Sequence, residues 1–566
     1  VQLILRYIKP YLSRMGVGML IKLGGTVVEL FIPYILAYLI DTVTPKGEIS
    51  GVALWGGVML FCSALAWVMN IWANRMAAAV ARDTVRQLRH DLFEKIMHLT
   101  SRQVDSFTIP SLISRMTTDT YNIHRMVGMA QRMGVRAPIL LLGGLIITVT
   151  LDPVMAGVLA LMMPILGVMV YTVSRKSLPL FGDIQRAMDD LVRVVREGAS
   201  GIRVIKALSK EPYERQRFSG VNAAVVKAET KANVTMGLSR PLMNTLLNLG
   251  QVAVIVVGAY RVLRGQAEVG AIVAFLSYFI IMLNAIMGLN RILLMYQNAL
   301  ASSARMEEVL YAKGELDVVD LPAKTSEYHL EARDICFSYS GKEDTLRHIS
   351  FALRRGESLG IIGPTGAGKS TLAALLMRFY DVRTGTILLG GKDIRSMEMD
   401  ALRSRFGVVF QNDAIFKDTL EGNIKVGRDL SMKALEQAME TAQAAAYIEA
   451  SGGLGYDIDA HGVNLSGGQR QRLLIARALA GNPDILILDD SSSALDYKTD
   501  AAMRQSLKAN YDDATTIIVA QRISSIRHCD HILVLEEGRA LGYGRHEELM
   551  ESCTLYQEIY QIQMGE

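Results

Sequence analysis

The 566-residue chain is 50% hydrophobic with a positive mean hydropathy, which excludes an ordinary soluble enzyme and points to more than one domain. Its 60 Lys and Arg against 56 Asp and Glu leave a formal charge of only +4, which gives no footprint for nucleic acid. Cys62, Cys336, Cys529 and Cys553 share neither paired nor metal-ligand spacing and read as reduced thiols.

Six apolar runs crowd the first half, at residues 16–40, 52–74, 134–150, 154–173, 242–263 and 272–295. A helix needs roughly 20 residues to cross the hydrocarbon core, so the third run is expected to be extended by its neighbours. The first run carries no small-residue cleavage site and is expected to be a membrane segment rather than a leader. Six spans leave both termini on one side, with short loops at 41–51, 151–153 and 261–270 on the other. The long interruptions, about 75–133 and 174–241, are rich in Arg and Lys and keep a helical period. The positive-inside rule assigns them and both termini to the cytoplasm, as extensions of the membrane helices.

Within the first span, Glu29 is followed one turn later by Pro33. A carboxylate at bilayer depth marks either a functional cavity or a structural bond to a neighbouring helix. Asn244, Asn248, Gln251, Asn284, Asn290 and Gln297 place further polar groups in the fifth and sixth spans, and Glu29, Asn244, Asn248 and Asn284 are the candidates for a substrate path. Met282, Met287 and Met295 either line an adaptable apolar cavity or pack helices. Trp55, Trp67 and Trp72 include candidate interfacial anchors.

A junction near 312–326, containing Lys313, Gly314 and Pro322, separates a membrane domain (1–311) from a second domain (327–566). There, strand-like runs alternate with helical ones, as in an α/β fold. Gly363-Pro364-Thr365-Gly366-Ala367-Gly368-Lys369-Ser370-Thr371 fits the phosphate-loop pattern GxxxxGK[ST], after a strand-like run and before a helical one. The glycines let backbone amides face phosphate oxygens, Lys369 neutralises their charge, and the Ser370 hydroxyl can ligate magnesium. Ile485-Leu486-Ile487-Leu488-Asp489 is a buried strand ending in a carboxylate, the Walker B pattern, with Asp489 placed to hold Mg2+ through water. Leu465-Ser466-Gly467-Gly468-Gln469 opens another helix, where Ser and two glycines make a second candidate anion site.

On these three motifs the chain resembles the ABC exporters, as a half-transporter carrying its membrane domain first and its cassette second. The resemblance implies six transmembrane helices with long cytosolic extensions, followed by an α/β P-loop NTPase cassette, in a multi-pass protein of the plasma membrane. Leu465 to Gln469 match the family signature, which faces ATP bound to a partner cassette. Tyr339 resembles the aromatic residue that stacks on adenine, an edge-strand core Tyr being the alternative. Gln411 resembles the glutamine that touches magnesium and couples to the membrane domain. Ser493-Ala494-Leu495-Asp496 resembles the D-loop. Residues 201–207 with 211–218 resemble the second cytosolic coupling segment, and residues 114–123 the first.

Two departures from the family pattern stand out. After Walker B the family places a glutamate that orients or deprotonates the attacking water; this chain has Asp490, one methylene shorter. The switch histidine is replaced by Gln521, which can bond a γ-phosphate but carries no imidazolium charge. Asp459-Ala460-His461-Gly462 is a third difference, where relatives carry a Glu-Arg pair. The phosphate-cradling residues are complete, so ATP binding is expected to survive while hydrolysis slows. The resemblance is thus to the degenerate-site subunit of heterodimeric exporters, working on small amphipathic or apolar molecules in multidrug-type efflux. A homodimeric lipid or peptide exporter, and an ATP-gated channel or regulatory ABC protein, are the alternatives.

Overall fold

The computed structural model describes residues 2–237, 239–314, 316–323, 325–491 and 495–564. It divides into two compact units, Val1–Met97 with Ile109–Ala312, and His98–Thr108 with Lys313–Glu566.

In the first unit, the described residues form six helices long and apolar enough to span a membrane: Gln2–Lys46, Ile49–Met97, Ile109–Leu151, Pro153–Val173, Pro241–Leu263 and Val269–Leu310. Each contains one of the apolar runs. Hydrocarbon offers backbone amides no partner, so a spanning segment bonds to itself as helix. The basic interruptions are helical as well: Ile49–Met97 runs 49 residues and Pro153–Ser200 runs 48. Asp152 starts the latter by accepting from the backbone N–H of Val154 and Met155, both at 2.9 Å, with Pro153 in the first turn. The same carboxylate meets Arg261 at 2.7 Å and ties the fifth span to this corner. Helix-to-helix contacts are close where side chains are small. A Cβ on Gly270 would lie 2.6 Å from the Ala37 carbonyl oxygen. Tyr278, fully buried, donates to the Leu30 carbonyl at 2.6 Å.

Beyond the apolar stretches, the third and sixth helices are held by a buried carboxylate. Asp119 accepts from Ser302 Oγ at 2.8 Å and pairs with the Arg305 guanidinium, while Asn122 donates to Ser302 Oγ at 3.1 Å. Arg115 also bridges to Glu308 at 2.9 Å.

The second unit contains β1 Leu330–Phe337, β2 Leu346–Leu353, β3 Ser358–Ile362, β4 Thr384–Leu389, β5 Lys392–Asp393, β6 Phe406–Val409, β7 Asp418–Thr419, β8 Asp457–Ile458, β9 Ile485–Asp489, β10 Thr515–Val519, β11 His531–Glu536 and β12 Arg539–Gly544. Ten form one sheet in the order β5-β4-β1-β2-β12-β11-β3-β10-β9-β6, and β7 pairs with β8 apart from it. Strands β11, β3, β10, β9 and β6 run parallel, while β1, β2, β4 and β5 are antiparallel neighbours. Every residue of β9 is buried, as expected for a parallel strand covered on both faces.

Asp119→Ala removes three charge-assisted hydrogen bonds from a buried position, at a cost of about 1.5–3 kcal/mol. A lower thermal midpoint of the detergent-solubilised protein, followed by size-exclusion fluorescence, is the expected result.

Candidate functional site

The parallel strands assemble the site. Register pairs Ile361 with Val519, Val519 with Asp489, and Leu488 with Val409, so β3, β10, β9 and β6 all finish along one edge of the sheet. Their ends therefore bring four stretches together: the phosphate loop beyond β3, Gln521 beyond β10, Asp489 and Asp490 at β9, and Gln411 beyond β6. Crevices beyond the carboxyl ends of parallel strands are where α/β sheets bind ligands. A cleft of about 210 Å³ lies there, lined by Thr345, Thr365, Gly366, Gly368, Lys369, Ser370, Thr371, Gln411, Asp489, Asp490, Val519, Ala520 and Gln521.

The loop leaves no room for side chains at two of its glycines. A Cβ on Gly363 would lie 1.9 Å from the Leu535 carbonyl oxygen, and one on Gly368, at φ +96°, 2.6 Å from Leu346 Cδ2. Pro364 and Ala367 complete the turn, Ala367 donating its N–H to the Pro364 carbonyl at 3.2 Å. Lys369 opens the adjoining helix and folds back, donating to the carbonyls of Gly363 at 2.8 Å and Pro364 at 2.9 Å. Burial lowers the Lys369 pKa from its usual range, against the pull of Asp489 and Asp490. Burial likewise raises the pKa of Asp489, opposed by the hydrogen bond from Ser370, and that of Asp490, opposed by Lys369 and Arg522. A desolvated lysine beside two desolvated carboxylates and a hydroxyl fits a polyphosphate carrying a divalent cation. The amides and the ammonium would take the anion, and Ser370 and Asp489 would hold the cation.

Asp490 leaves β9 at φ +51° and is held from behind, its carbonyl accepting from Gln471 Nε2 at 3.1 Å. Its carboxylate accepts from Gln521 Nε2 at 3.3 Å, so the two departing residues form a carboxylate–amide pair. Gln563, in the final helix Thr554–Met564, fixes the Gln521 turn from both sides, donating to the Gln521 carbonyl at 2.7 Å and accepting from Ile523 N–H at 2.8 Å. Tyr339 stands half-exposed beside the loop helix, its hydroxyl donating to Thr371 Oγ1 at 3.2 Å and its ring edge-on to Phe337 and Tyr380.

None of Leu465, Ser466, Gly467, Gly468 or Gln469 lines the cleft. Leu465 is buried, but Ser466 and Gly467 are exposed at the start of helix Gly467–Leu479. Ser466 and Gln469 form a capping box: Ser466 Oγ accepts from Gln469 N–H at 3.3 Å, and Gln469 Oε1 accepts from Ser466 N–H at 2.8 Å. The serine hydroxyl proton stays free to donate. Asp496 caps helix Tyr497–Asn510, accepting from Thr499 N–H at 3.1 Å; Ser493 and Ala494 of the D-loop stretch lie outside the described residues. His461, at φ +62°, turns the chain where its N–H meets the Ile415 carbonyl at 3.1 Å.

One assignment from the sequence needs correction. The first segment that packs with the cassette is 98–108, not 114–123, which stays in the first unit. Thr100 and Gln103 form a capping box that starts helix Ser101–Phe107. From that helix Asp105 accepts from the Tyr380 hydroxyl at 2.6 Å, and Gln103 Nε2 donates to the Lys313 carbonyl. Residues 114–119 instead join the Asp119 network, because Arg115 and Asp119 are buried there. Thr345, Gln471 and Gln563 escape a motif reading, since they reach the site only through the tertiary fold.

In the membrane unit, Glu29 pairs at 2.6 Å with Arg136 of the third span. Asn244, Asn248 and Asn284 are exposed on the fifth and sixth spans, and the Asn290 side chain lies outside the described residues. Met282 is packed in the helix core, whereas Met287 is exposed. Trp67 and Trp72 are exposed, and Trp55 stacks edge-on against Tyr38.

A family model for the ABC transporter transmembrane region matches residues 15–286, and one for the ABC transporter matches residues 346–493. An ABC transporter ATP-binding protein of Mycobacterium tuberculosis is 34% identical over 98% of this chain and 97% of its own length. Another, from Bacillus subtilis, is 31% identical over 99% of this chain and 98% of its own. Among solved structures, a bacterial Atm1-family ABC exporter with ATP bound aligns at a TM-score of 0.81 and 26% identity, over 98% of this chain and 99% of that one.

Lys369→Ala should weaken ATP binding at least tenfold, roughly 1.4 kcal/mol, and abolish the thermal shift that ATP gives the wild type. Tyr339→Phe, which keeps the ring, should bind ATP within twofold of the wild type, whereas Tyr339→Ala should bind severalfold more weakly.

Proposed function

This chain belongs to the ABC transporters and is an exporter half-transporter, an ATP-hydrolysing multi-pass membrane protein; from that premise we propose that it is the degenerate-site subunit of a heterodimer that exports small amphipathic or apolar molecules by alternating access. It sits in the plasma membrane with its cassette and both termini in the cytoplasm. The Asp490–Gln521 pair carries this reading. Phosphoryl transfer depends on positioning and on charge stabilisation. Here the carboxylate that would direct water is one methylene short, and its neighbour is a neutral amide where the transition state calls for a cation. Everything that grips phosphate is present around it.

On this reading the cleft binds ATP through Thr365 to Thr371, with the adenine against Tyr339. Mg2+, when bound through Ser370, Gln411 and Asp489, supplies the charge that offsets the β- and γ-phosphates. The chain's own residues bind and orient the nucleotide but turn it over slowly. The exposed, capped Ser466 is free to donate to ATP on the partner cassette, where a Walker B glutamate and a switch histidine complete a fast site. The partner's cassette also fits the second coupling segment, whose Ile202, Val204, Leu208 and Tyr213 are exposed. Closure around ATP favours the outward-open state, because the nucleotide binds that state better.

The chain purified without a partner should hydrolyse ATP slowly, and Asp490→Glu with Gln521→His should raise its turnover at least tenfold, about 1.4 kcal/mol in barrier. Brisk hydrolysis by the unaltered chain alone, or no gain in the double variant, would sink the proposal. Asp105→Ala should leave ATP affinity within twofold while cutting substrate-stimulated ATPase severalfold. Tyr380→Phe should add nothing further in the double variant, since one bond joins the two residues.

A further inference from the structure

The membrane unit holds more positive charge than its own carboxylates balance. Gly18, Lys22 and Gly25 share one face of the first span. A Cβ on Gly25 would lie 3.0 Å from Met69 Cβ, and one on Gly18 3.3 Å from Met76 Cβ, so the second helix is very close. Lys22 lies between them, 4% exposed, donating to Asn70 Oδ1 at 2.7 Å and Asn74 Oδ1 at 3.2 Å. Both acceptors are neutral, and so deep a head group is not reaching for the membrane surface. On the third span, Arg132 Nε donates, among the described residues, only to its own helix, at the Gly128 carbonyl, 3.0 Å away. Gly128 makes space for it: a Cβ there would lie 3.1 Å from Arg132 Nη2. One turn on, Arg136 gives a single hydrogen bond to Glu29, leaving Arg136 Nε and Glu29 Oε2 buried without partners. Arg132, Arg136 and Glu29 all lie in electrostatic range of Lys22. Among the described residues this cluster sets three cations against one carboxylate, an excess of two positive charges.

Depth sharpens the point. Arg136 lies about 22 Å along the helix from Leu151, and Lys22 about 24 Å from Tyr38, at 1.5 Å per residue. In a hydrocarbon core about 30 Å thick, both sit in the half nearer the chain termini, inside the apolar layer. Uncompensated charge there is costly, and intramembrane cations mark ligand pathways. Arg132, Arg136 and Glu29 are only partly buried, so a ligand can reach them.

We propose that Arg132 and Arg136, with the buried Lys22 contributing through its charge, form a head-group subsite for an amphipathic anion bearing a phosphate or carboxylate head. This rests on the export reading and narrows its substrate class from amphipaths at large to anionic ones. The head group replaces the missing negative charge, and the tail lies among the apolar helices.

The test uses the nanodisc-embedded, nucleotide-free dimer, purified through a tag on this chain. Two probes carry the same fluorophore, one on dodecyl phosphate and one on dodecanol, and binding is read by anisotropy. The phosphate probe should bind at least tenfold more tightly. Lys22→Met should cut that preference at least fivefold, and so should Arg132→Gln, which breaks no tie to another helix; the neutral probe should stay within twofold in both. Glu29→Gln, which removes the competing anion, should tighten phosphate binding, a sign that a purely structural cluster does not give. Equal affinity for the two probes in the wild type, an undiminished preference in both cation variants, or weaker phosphate binding in Glu29→Gln overturns the proposal. Anionic preference without ATP-driven uptake into inside-out vesicles supports the subsite and refutes export. Uptake of the neutral probe with no anionic preference refutes the subsite and leaves export standing.

Discussion

Parallel alignment of β3, β10, β9 and β6 is the constraint on which the cassette depends. Since these strands end at one level, four segments separated by up to 158 positions, from Gly363 to Gln521, meet around one cleft. The buried β9 is the keystone, carrying Asp489 to the rim and leaving Asp490 at the first residue beyond the sheet. The positive φ of Asp490 turns its side chain away from the strand direction and into reach of Gln521, and Gln471 and Gln563 hold the two turns that meet there.

Binding and chemistry are thus separable in this cassette. Contacts suited to phosphate come from backbone and from residues that open the loop helix, which sequence change at the rim leaves intact. On the proposed reading, positioning water and stabilising transition-state charge fall to two side-chain tips, those of Asp490 and Gln521. That division, on the same reading, lets a cassette keep its cradle while carrying Asp490 and Gln521 as its catalytic pair.

Much of this was legible from residues in a row. The phosphate loop, the apolar strand ending at Asp489 and the capped Ser466 helix are local patterns with local causes, and the structure places them as read. Six apolar runs became six helices for an equally local reason, since hydrocarbon forces backbone to bond to itself. The rest is long-range and could not be read. Glu29 was visible as an anomaly, but Arg136 lies 107 positions away in the third apolar run, and no local pattern links the two. The cassette-packing segment was sought at 114–123 from its resemblance, although the Thr100–Gln103 box, a Thr-x-x-Gln pattern, announces a fresh helix start at 101. Period alone does not say which amphipathic turn docks and which joins a buried ion pair. Gln563 carried no signal, since a glutamine on a terminal helix is ordinary until the fold lays it beside Gln521.

The helix Ile49–Met97 contains no proline, and its glycines all fall in the first nine residues. At 1.5 Å per residue it is about 73 Å long, so some 40 Å stands clear of a hydrocarbon core about 30 Å thick. A rod of that reach, with no glycine or proline in the portion beyond the core, magnifies rotation: a swing of about 5° at the membrane displaces its far end by roughly 3.5 Å, on the same geometry. The chain passes from that end, three residues after Met97, into the capped helix Ser101–Phe107. Its stiffness rests on an unbroken backbone ladder and on the neighbours that its buried face packs, from Ala73 to Leu92, so a glycine or proline placed along that stretch would turn a lever into a loose joint.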